Sequence, residues 1–168
     1  MTLAIVMGVS GSGKTTIARA LAREEGWILL EGDQFHPASN VAKMKAGAPL
    51  SDEDRWPWLR AIAAREDELL AAGQSAAVAC SALKRAYRDI LIGSRPDTLL
   101  VYLCGSKALI AERMAARRDH FMPPALLDSQ FATLEEPSPD EHPIIVDIGG
   151  QPDAVIQDAI RQLKERMS

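Results

Sequence analysis

Eight consecutive residues, Gly8-Val9-Ser10-Gly11-Ser12-Gly13-Lys14-Thr15, carry the densest chemical signal in the chain. Gly8, Gly13, Lys14 and Thr15 stand at the fixed positions of the pattern G-x-x-x-x-G-K-[ST], a phosphate-binding loop. The flanks fit. Leu3 to Met7 is a short apolar run that reads as a buried strand, and Ile17, Ala18, Leu21 and Ala22 recur at helical spacing. A strand, a glycine loop and a helix in that order gather backbone N–H groups and a helix N-terminus around one point, which suits a polyphosphate. The candidate phosphate contacts are Gly8, Ser10, Gly11, Ser12, Gly13, Lys14, Thr15 and Thr16. Lys14 is expected at the β- and γ-phosphates, and the Thr15 hydroxyl at Mg²⁺.

Other candidate side chains cluster where strands are expected to end. Asp33 follows the run Trp27 to Leu30 and is positioned to orient or deprotonate an acceptor hydroxyl, or to share Mg²⁺; a turn aspartate after Gly32 is the competing reading. His36, before Pro37, is either a ligand contact or a loop-packing residue. Arg55 sits among Asp52, Glu53 and Asp54, so it is either an anion contact or part of a solvated ion-pair cluster. Ser81, Lys84 and Arg88 surround the end of the run Ala76 to Cys80; Lys84 either holds an anion or decorates a helix start. Arg113, Arg117 and Arg118, with His120, form a cationic cluster. Arg113 and Arg117 are four apart and share a helix face, which suits a lid closing over phosphates, or else a basic helix end complementing the macrodipole. Asp147, after Ile144-Ile145-Val146, looks like a strand-end metal ligand, but it comes too late in the chain to be favoured over Thr15 with Asp33.

The elements that must position these groups follow from periodicity. Five apolar runs (3–7, 27–30, 76–80, 98–103 and 144–146) alternate with helical patterns near 39–46, from about Pro57 to Gly73, at 84–92, 106–117, 123–134 and 152–167. That alternation predicts an α/β domain with a parallel sheet, its ligand loop at the C-terminal edge of the first strand. The 168 residues are expected to form one domain. A net charge of −4 argues against nucleic acid, and no apolar run is long enough to span a membrane. The N-terminal apolar stretch is too short for a signal peptide, and Cys80 and Cys104 are expected as reduced core thiols, so the expected compartment is the cytoplasm.

The loop alone says nucleoside triphosphate and leaves two classes: a phosphotransferase, or a nucleotide-driven switch or motor. The guanine motif Asn-Lys-x-Asp is absent, because the single asparagine, Asn40, precedes Val41. A small kinase needs only a phosphate cradle, an acceptor pocket and a cationic lid, and fits better.

Longer blocks then resemble one family. Gly32-Asp33-x-x-His36-Pro37, Lys43-Met44-x-x-Gly47-x-Pro49-Leu50-x-Asp52-x-Asp54-Arg55-x-Pro57-Trp58-Leu59, Cys80-Ser81-Ala82-Leu83-Lys84-x-x-Tyr87-Arg88-Asp89, and His120-Phe121-Met122 with Leu127 to Phe131 and Leu134-Glu135-x-Pro137 are similar to the gluconokinases. The resemblance spans residues 3 to 150. It implies a P-loop fold like that of nucleoside-monophosphate and shikimate kinases, with strand order 2-3-1-4-5, and ATP-dependent phosphorylation of D-gluconate at its 6-hydroxyl. It implies that the phosphate loop holds ATP and Mg²⁺, that Asp33 acts on the acceptor hydroxyl, and that His36, Arg55, Ser81, Lys84 and His120 contact the sugar acid. Lys14, Asp33 and Arg117 would be the catalytic set, with Arg113 and Arg117 closing from a lid at about 113–134 and the acceptor held by a segment at about 37–58. Kinship also suggests a homodimer. Two positions depart from the expected pattern: Glu31, where an aspartate is usual, and the glycine-rich Gly149-Gly150-Gln151. Another small-metabolite kinase such as shikimate kinase, or a catalytically idle nucleotide-binding protein, are the remaining alternatives.

Overall fold

A computed structural model describes residues 1–116 and 124–168. Among them a five-stranded sheet runs in the order β2-β3-β1-β4-β5, every pairing parallel. The strands are β1 (Leu3–Met7), β2 (Ile28–Glu31), β3 (Ala76–Ala79), β4 (Thr98–Cys104) and β5 (Ile144–Asp147). The helices are α1 (Lys14–Glu25), α2 (Ala38–Lys45), α3 (Asp52–Ala71), α4 (Arg85–Ile92), α5 (Lys107–Ala115), α6 (Pro124–Thr133) and α7 (Pro152–Met167). The expected sheet order is thus observed.

The central strand shows why the sheet is two-sided. All five residues of β1 are fully buried, and the period of two sends them to opposite faces. Ala4 and Val6 join Ile17, Ala18 and Leu21 of α1 and Ala159 and Leu163 of α7. Leu3, Ile5 and Met7 join Trp58, Leu59 and Ile62 of α3 and Tyr87 and Leu91 of α4. Helices on both faces explain why the strands read as unbroken apolar runs. No described helix is long and apolar enough to cross a membrane. Cys80 and Cys104 are free thiols, and burial pushes Cys80 up to about 12.

One boundary differs usefully from the sequence expectation. Helix α3 begins at Asp52, not near Pro57. Ser51 caps it: its hydroxyl accepts from the Asp54 N–H at 3.1 Å, and the Asp54 carboxylate accepts from the Ser51 N–H at 2.9 Å. Asp52, Glu53 and Asp54 complement the positive N-terminus of the helix. Pro57 therefore lies inside α3, at the cost of one i→i−4 hydrogen bond. The helix expected through Arg117 is described to Ala115, with Ala116 as its C-cap; Ser106 caps its start, as expected, accepting from the Leu109 N–H. Helix α6 is described from Pro124, and the expected start at Pro123 lies outside the described residues.

Glu66 of α3 is fully buried, and neither carboxylate oxygen has a hydrogen-bond partner among the described residues. Arg95 lies 3.6 Å away but gives its shorter contact, 2.8 Å, to Asp67. Burial, only partly offset by Arg95, raises the Glu66 pKa to about 8 from 4.5. Between those values the folded chain holds a proton that the unfolded chain has released, so stability falls as pH rises and the full penalty applies above about 8. Glu66→Gln should flatten this dependence and gain on the order of a few kcal/mol at pH 9. Thermal melts of both proteins from pH 5 to 9 check it; parallel curves would show that Glu66 is not held neutral.

Candidate active site

The phosphate loop spans the gap between β1 and α1. Gly13 sits at φ 94°, a left-handed conformation that costs glycine nothing and that starts α1 at Lys14. The Lys14 ammonium folds back over the loop and donates to the Val9 carbonyl at 3.1 Å. Burial of that end lowers its pKa, with Asp33, Cys80 and Glu31 acting in the opposite direction. Ser12 is buried and its hydroxyl is without a partner among the described residues. Ser10 is engaged from a distance: its N–H donates to the Gln130 side-chain oxygen at 2.6 Å, and the Gln130 amide donates to its hydroxyl at 2.9 Å. Gln130, on α6, thereby ties the far helix to the loop.

The adjacent strand end supplies the acids. The Thr15 hydroxyl donates to Glu31 at 2.9 Å, while the other Glu31 oxygen is buried and without a partner among the described residues. Asp33 follows in a 3-10 turn over Gly32–Phe35. Gly32 itself is wedged: a Cβ there would stand 2.4 Å from the Ala79 carbonyl. From the other side, the buried Trp58 indole donates to the Gly32 carbonyl at 2.7 Å. The turn is therefore held between β3 and α3.

A cavity of about 800 Å³ opens here, lined among others by Lys14, Glu31, Asp33, His36, Arg55 and Ser81. His36 stacks on Trp58 with ring centroids 4.1 Å apart. Burial lowers its pKa, opposed by Asp33 and helped by Arg55, which favours the neutral ring. Arg55, brought into the first turns of α3, donates to the Tyr87 hydroxyl at 2.9 Å and lies over that ring. The Ser81 carbonyl accepts from the Gly8 N–H at 3.3 Å. The Lys84 ammonium sits on Asp52 at 3.1 Å, and Lys84 is not among the residues that line the cavity. Asp52 also accepts from the Tyr87 hydroxyl, and these two bonds hold its carboxyl below the usual range. Arg88 is buried, paired with Glu141 at 2.6 Å, and braces the carbonyls of Ala82 and Leu83.

A second, mostly apolar cavity of about 320 Å³ lies on the other side of the loop, against Gly11, Thr16, Ile17, Arg113, Ile148 and Val155. Arg113 donates to the Gly150 carbonyl at 3.1 Å. Asp147 accepts from the Gly149 N–H at 2.8 Å and lines neither cavity, which makes it a turn cap. Arg117, Arg118 and His120 lie outside the described residues.

Reading single residues in sequence left Glu31 open and missed Asn40, Trp58, Tyr87 and Gln130. Their partners stand 14, 26, 32 and 120 residues away. Trp58, Tyr87 and Gln130 were marked only by falling within the longer sequence blocks, and Asn40 lies in none of them.

The donor set suits Mg²⁺. The Thr15 hydroxyl and Glu31 are already in contact, Glu31 keeps one buried oxygen with no partner among the described residues, and Asp33 lines the same cavity. No cluster of three or more His, Cys, Asp or Glu side chains is set for a metal among the described residues. A magnesium ion that keeps phosphate and water ligands needs no more than one or two protein carboxylates.

Gly32→Ala tests the wedge. A backbone oxygen 2.4 Å from the new Cβ cannot yield cheaply, so a loss of about 1–3 kcal/mol is expected, together with a fall in turnover of more than tenfold. Melting temperature and kcat measured on one preparation check both; a protein with normal activity would show that the Glu31–Asp33 turn tolerates displacement.

A family model described as an AAA domain matches residues 3–137. A gluconokinase of Gluconobacter oxydans is 46% identical over 160 residues, covering 95% of this chain and 90% of the relative. The crystal structure of a gluconokinase from Sinorhizobium meliloti superposes with a TM-score of 0.89 at 43% identity, covering 98% of this chain and 93% of that one. A sugar kinase from Janibacter superposes at 0.91 with 48% identity, covering 98% and 95%. The chain belongs to the gluconokinase family.

Proposed function

We infer that the chain transfers the γ-phosphoryl group of ATP to the 6-hydroxyl of D-gluconate, giving 6-phosphogluconate and ADP. The observation that carries this reading is the single cavity in which Lys14, Thr15, Glu31 and Asp33 face His36 and Arg55. A phosphate cradle with a carboxylate beside it serves phosphoryl transfer, and the far wall offers a cation and a neutral polar ring to a polyhydroxy acid. Family membership names that acid. In-line transfer demands positioning and charge stabilisation more than covalent chemistry, which is what these residues supply.

In this reading Asp33 accepts or orients the proton of the attacking hydroxyl. Lys14 leaves the Val9 carbonyl to meet the β- and γ-phosphates. Thr15 with Glu31, and Asp33 beside them, would hold Mg²⁺, which when bound neutralises charge on the transferring phosphoryl oxygens. Arg55 clamps the gluconate carboxylate with its planar fork, and Tyr87 fixes the angle of that fork. Lys84 acts through Asp52, the carboxylate that holds Tyr87. The smaller apolar cavity takes the nucleotide base, with Arg113 beside it. Residues 37–58 form the acceptor segment, and 113–134, including Arg117 and His120, form the lid of a single domain. Cytoplasmic residence, in keeping with the two free thiols, and a homodimer, suggested by kinship, complete the reading.

The test is ADP release with Mg·ATP and D-gluconate, shikimate, other sugar acids or no acceptor. Turnover confined to gluconate is expected; ATP binding with no turnover on any acceptor would point to an idle nucleotide-binding protein. Lys14→Ala and Asp33→Ala should lose at least about a thousandfold in kcat while melting normally. Glu31→Gln should raise the Mg²⁺ concentration needed for half-maximal rate about tenfold. An unchanged magnesium titration would remove Glu31 from the metal site.

A further inference from the structure

Asn40 is an asparagine in a short helix with nothing in its local sequence to distinguish it, yet it is only 1% exposed. Its amide nitrogen makes two contacts: 2.8 Å to the Asp54 carbonyl and 3.1 Å to His36 Nδ1. The first contact fixes the amide, because a backbone carbonyl only accepts and the atom facing it must be the NH₂ group. An amide nitrogen in turn only donates. His36 Nδ1 must therefore present a lone pair, and the proton of the neutral ring must sit on Nε2. A doubly protonated ring would set an N–H against the amide N–H. The ring plane is fixed as well, by stacking on Trp58 with 14° between planes. Nε2 has no hydrogen-bond partner among the described residues, and His36 lines the large cavity. Burial and Arg55 favour the neutral ring while Asp33 opposes them, so the surroundings agree with the geometry.

We propose that Asn40 is a positioning residue that locks His36 as the Nε2–H tautomer, so that His36 offers the acceptor a hydrogen-bond donor and not a base. The proposal rests on the reading of His36 as an acceptor contact. It divides the labour of the site. A hydroxyl or carboxylate oxygen of the sugar acid receives a donor from His36, while proton removal from the reacting hydroxyl is left to Asp33. A ring with a lone pair facing the cavity would compete for hydroxyl protons at the wrong positions; Asn40 prevents that. It also couples the tautomer to the acceptor segment, since the same amide joins α2 to the start of α3 at Asp54.

Long-range ¹H–¹⁵N spectra of the wild-type protein report the ring directly, with His36 resolved from the other two histidines by difference against His36→Gln. The expected spectrum at pH 7.5 has Nε2 protonated and Nδ1 bare; a proton on Nδ1, or on both nitrogens, would overturn the assignment. Kinetics test the consequence. Asn40→Asp places a proton acceptor against Nδ1 and should draw the proton there, raising the gluconate KM about tenfold with the ATP KM within about twofold. His36→Gln, which keeps an N–H near the Nε2 position, should retain more gluconate affinity than His36→Ala. A purely structural Asn40 would lower the melting temperature without moving the tautomer or splitting the two KM values, and that result would overturn the proposal. If instead His36→Ala leaves the gluconate KM unchanged, the acceptor reading of His36 falls and the role of Asn40 with it. A wrong tautomer in a protein still sensitive to His36→Ala overturns the Asn40 proposal alone.

Discussion

The site depends first on one hydrogen bond, from the Trp58 indole to the Gly32 carbonyl. Gly32 separates Glu31 from Asp33, so whatever places it places both carboxylates. On one side the chain is pressed against β3 so closely that no side chain fits; on the other it is held by an indole that is 2% exposed. A neutral hydrogen bond of this kind contributes only about 1 kcal/mol net, but losing it strands a buried donor and acceptor at a further cost of about 1–3 kcal/mol. The same indole is the surface on which His36 stacks. A single residue of α3 thus sets the positions of two carboxylates and an imidazole, which is why that helix packs against the sheet directly behind the turn.

Charge in the cavity is arranged around the two anions it is built to receive. Without them, Lys14 has the Val9 carbonyl with Asp33 and Glu31 near, Arg55 has Tyr87, and, outside the cavity lining, Lys84 has Asp52. Partnering of this kind avoids bare buried charge while leaving the groups free to exchange a weak contact for a phosphate or a carboxylate, for which charge-assisted bonds are stronger. Arg88 is different. It is buried against Glu141 and two backbone carbonyls, and removing either partner would strand a charge, so its work is to hold the segment after β3 and not to bind.

Much of this was legible in the residues because the decisive signals are local. The phosphate loop is eight residues long, and the strands of a doubly covered parallel sheet are apolar throughout, so both show in a short window. Asp33, His36 and Arg55 could be nominated for the same reason, and they line one cavity. Lys84 could not be placed from its neighbours, because the carboxylate that claims it is 32 residues earlier. Gln130 reaches Ser10 across 120 residues, and an amide side chain on a helix carries no sign of such a partner. Asn40 was visible only as the asparagine that ruled out a guanine motif. Its chemistry resides in a geometry that two helices make together.

The start of α3 shows how a local rule decides a distant outcome. A helix beginning near Pro57 would leave Asp52, Asp54 and Arg55 in a loop, where a solvated ion cluster is the natural expectation. The capping box at Ser51 and Asp54 instead extends the helix back by five residues, and Pro57 is carried inside it. Asp52 and Arg55, three apart, then share a face. Both meet the Tyr87 hydroxyl, which donates to one and accepts from the other. The guanidinium is no longer a free surface charge but one arm of a fixed three-residue arrangement at the cavity wall. Asp54 contributes twice, closing the capping box with its carboxylate and anchoring Asn40 with its carbonyl. The cap that starts the helix is therefore also what aligns the cation and the imidazole on the acceptor side of the site.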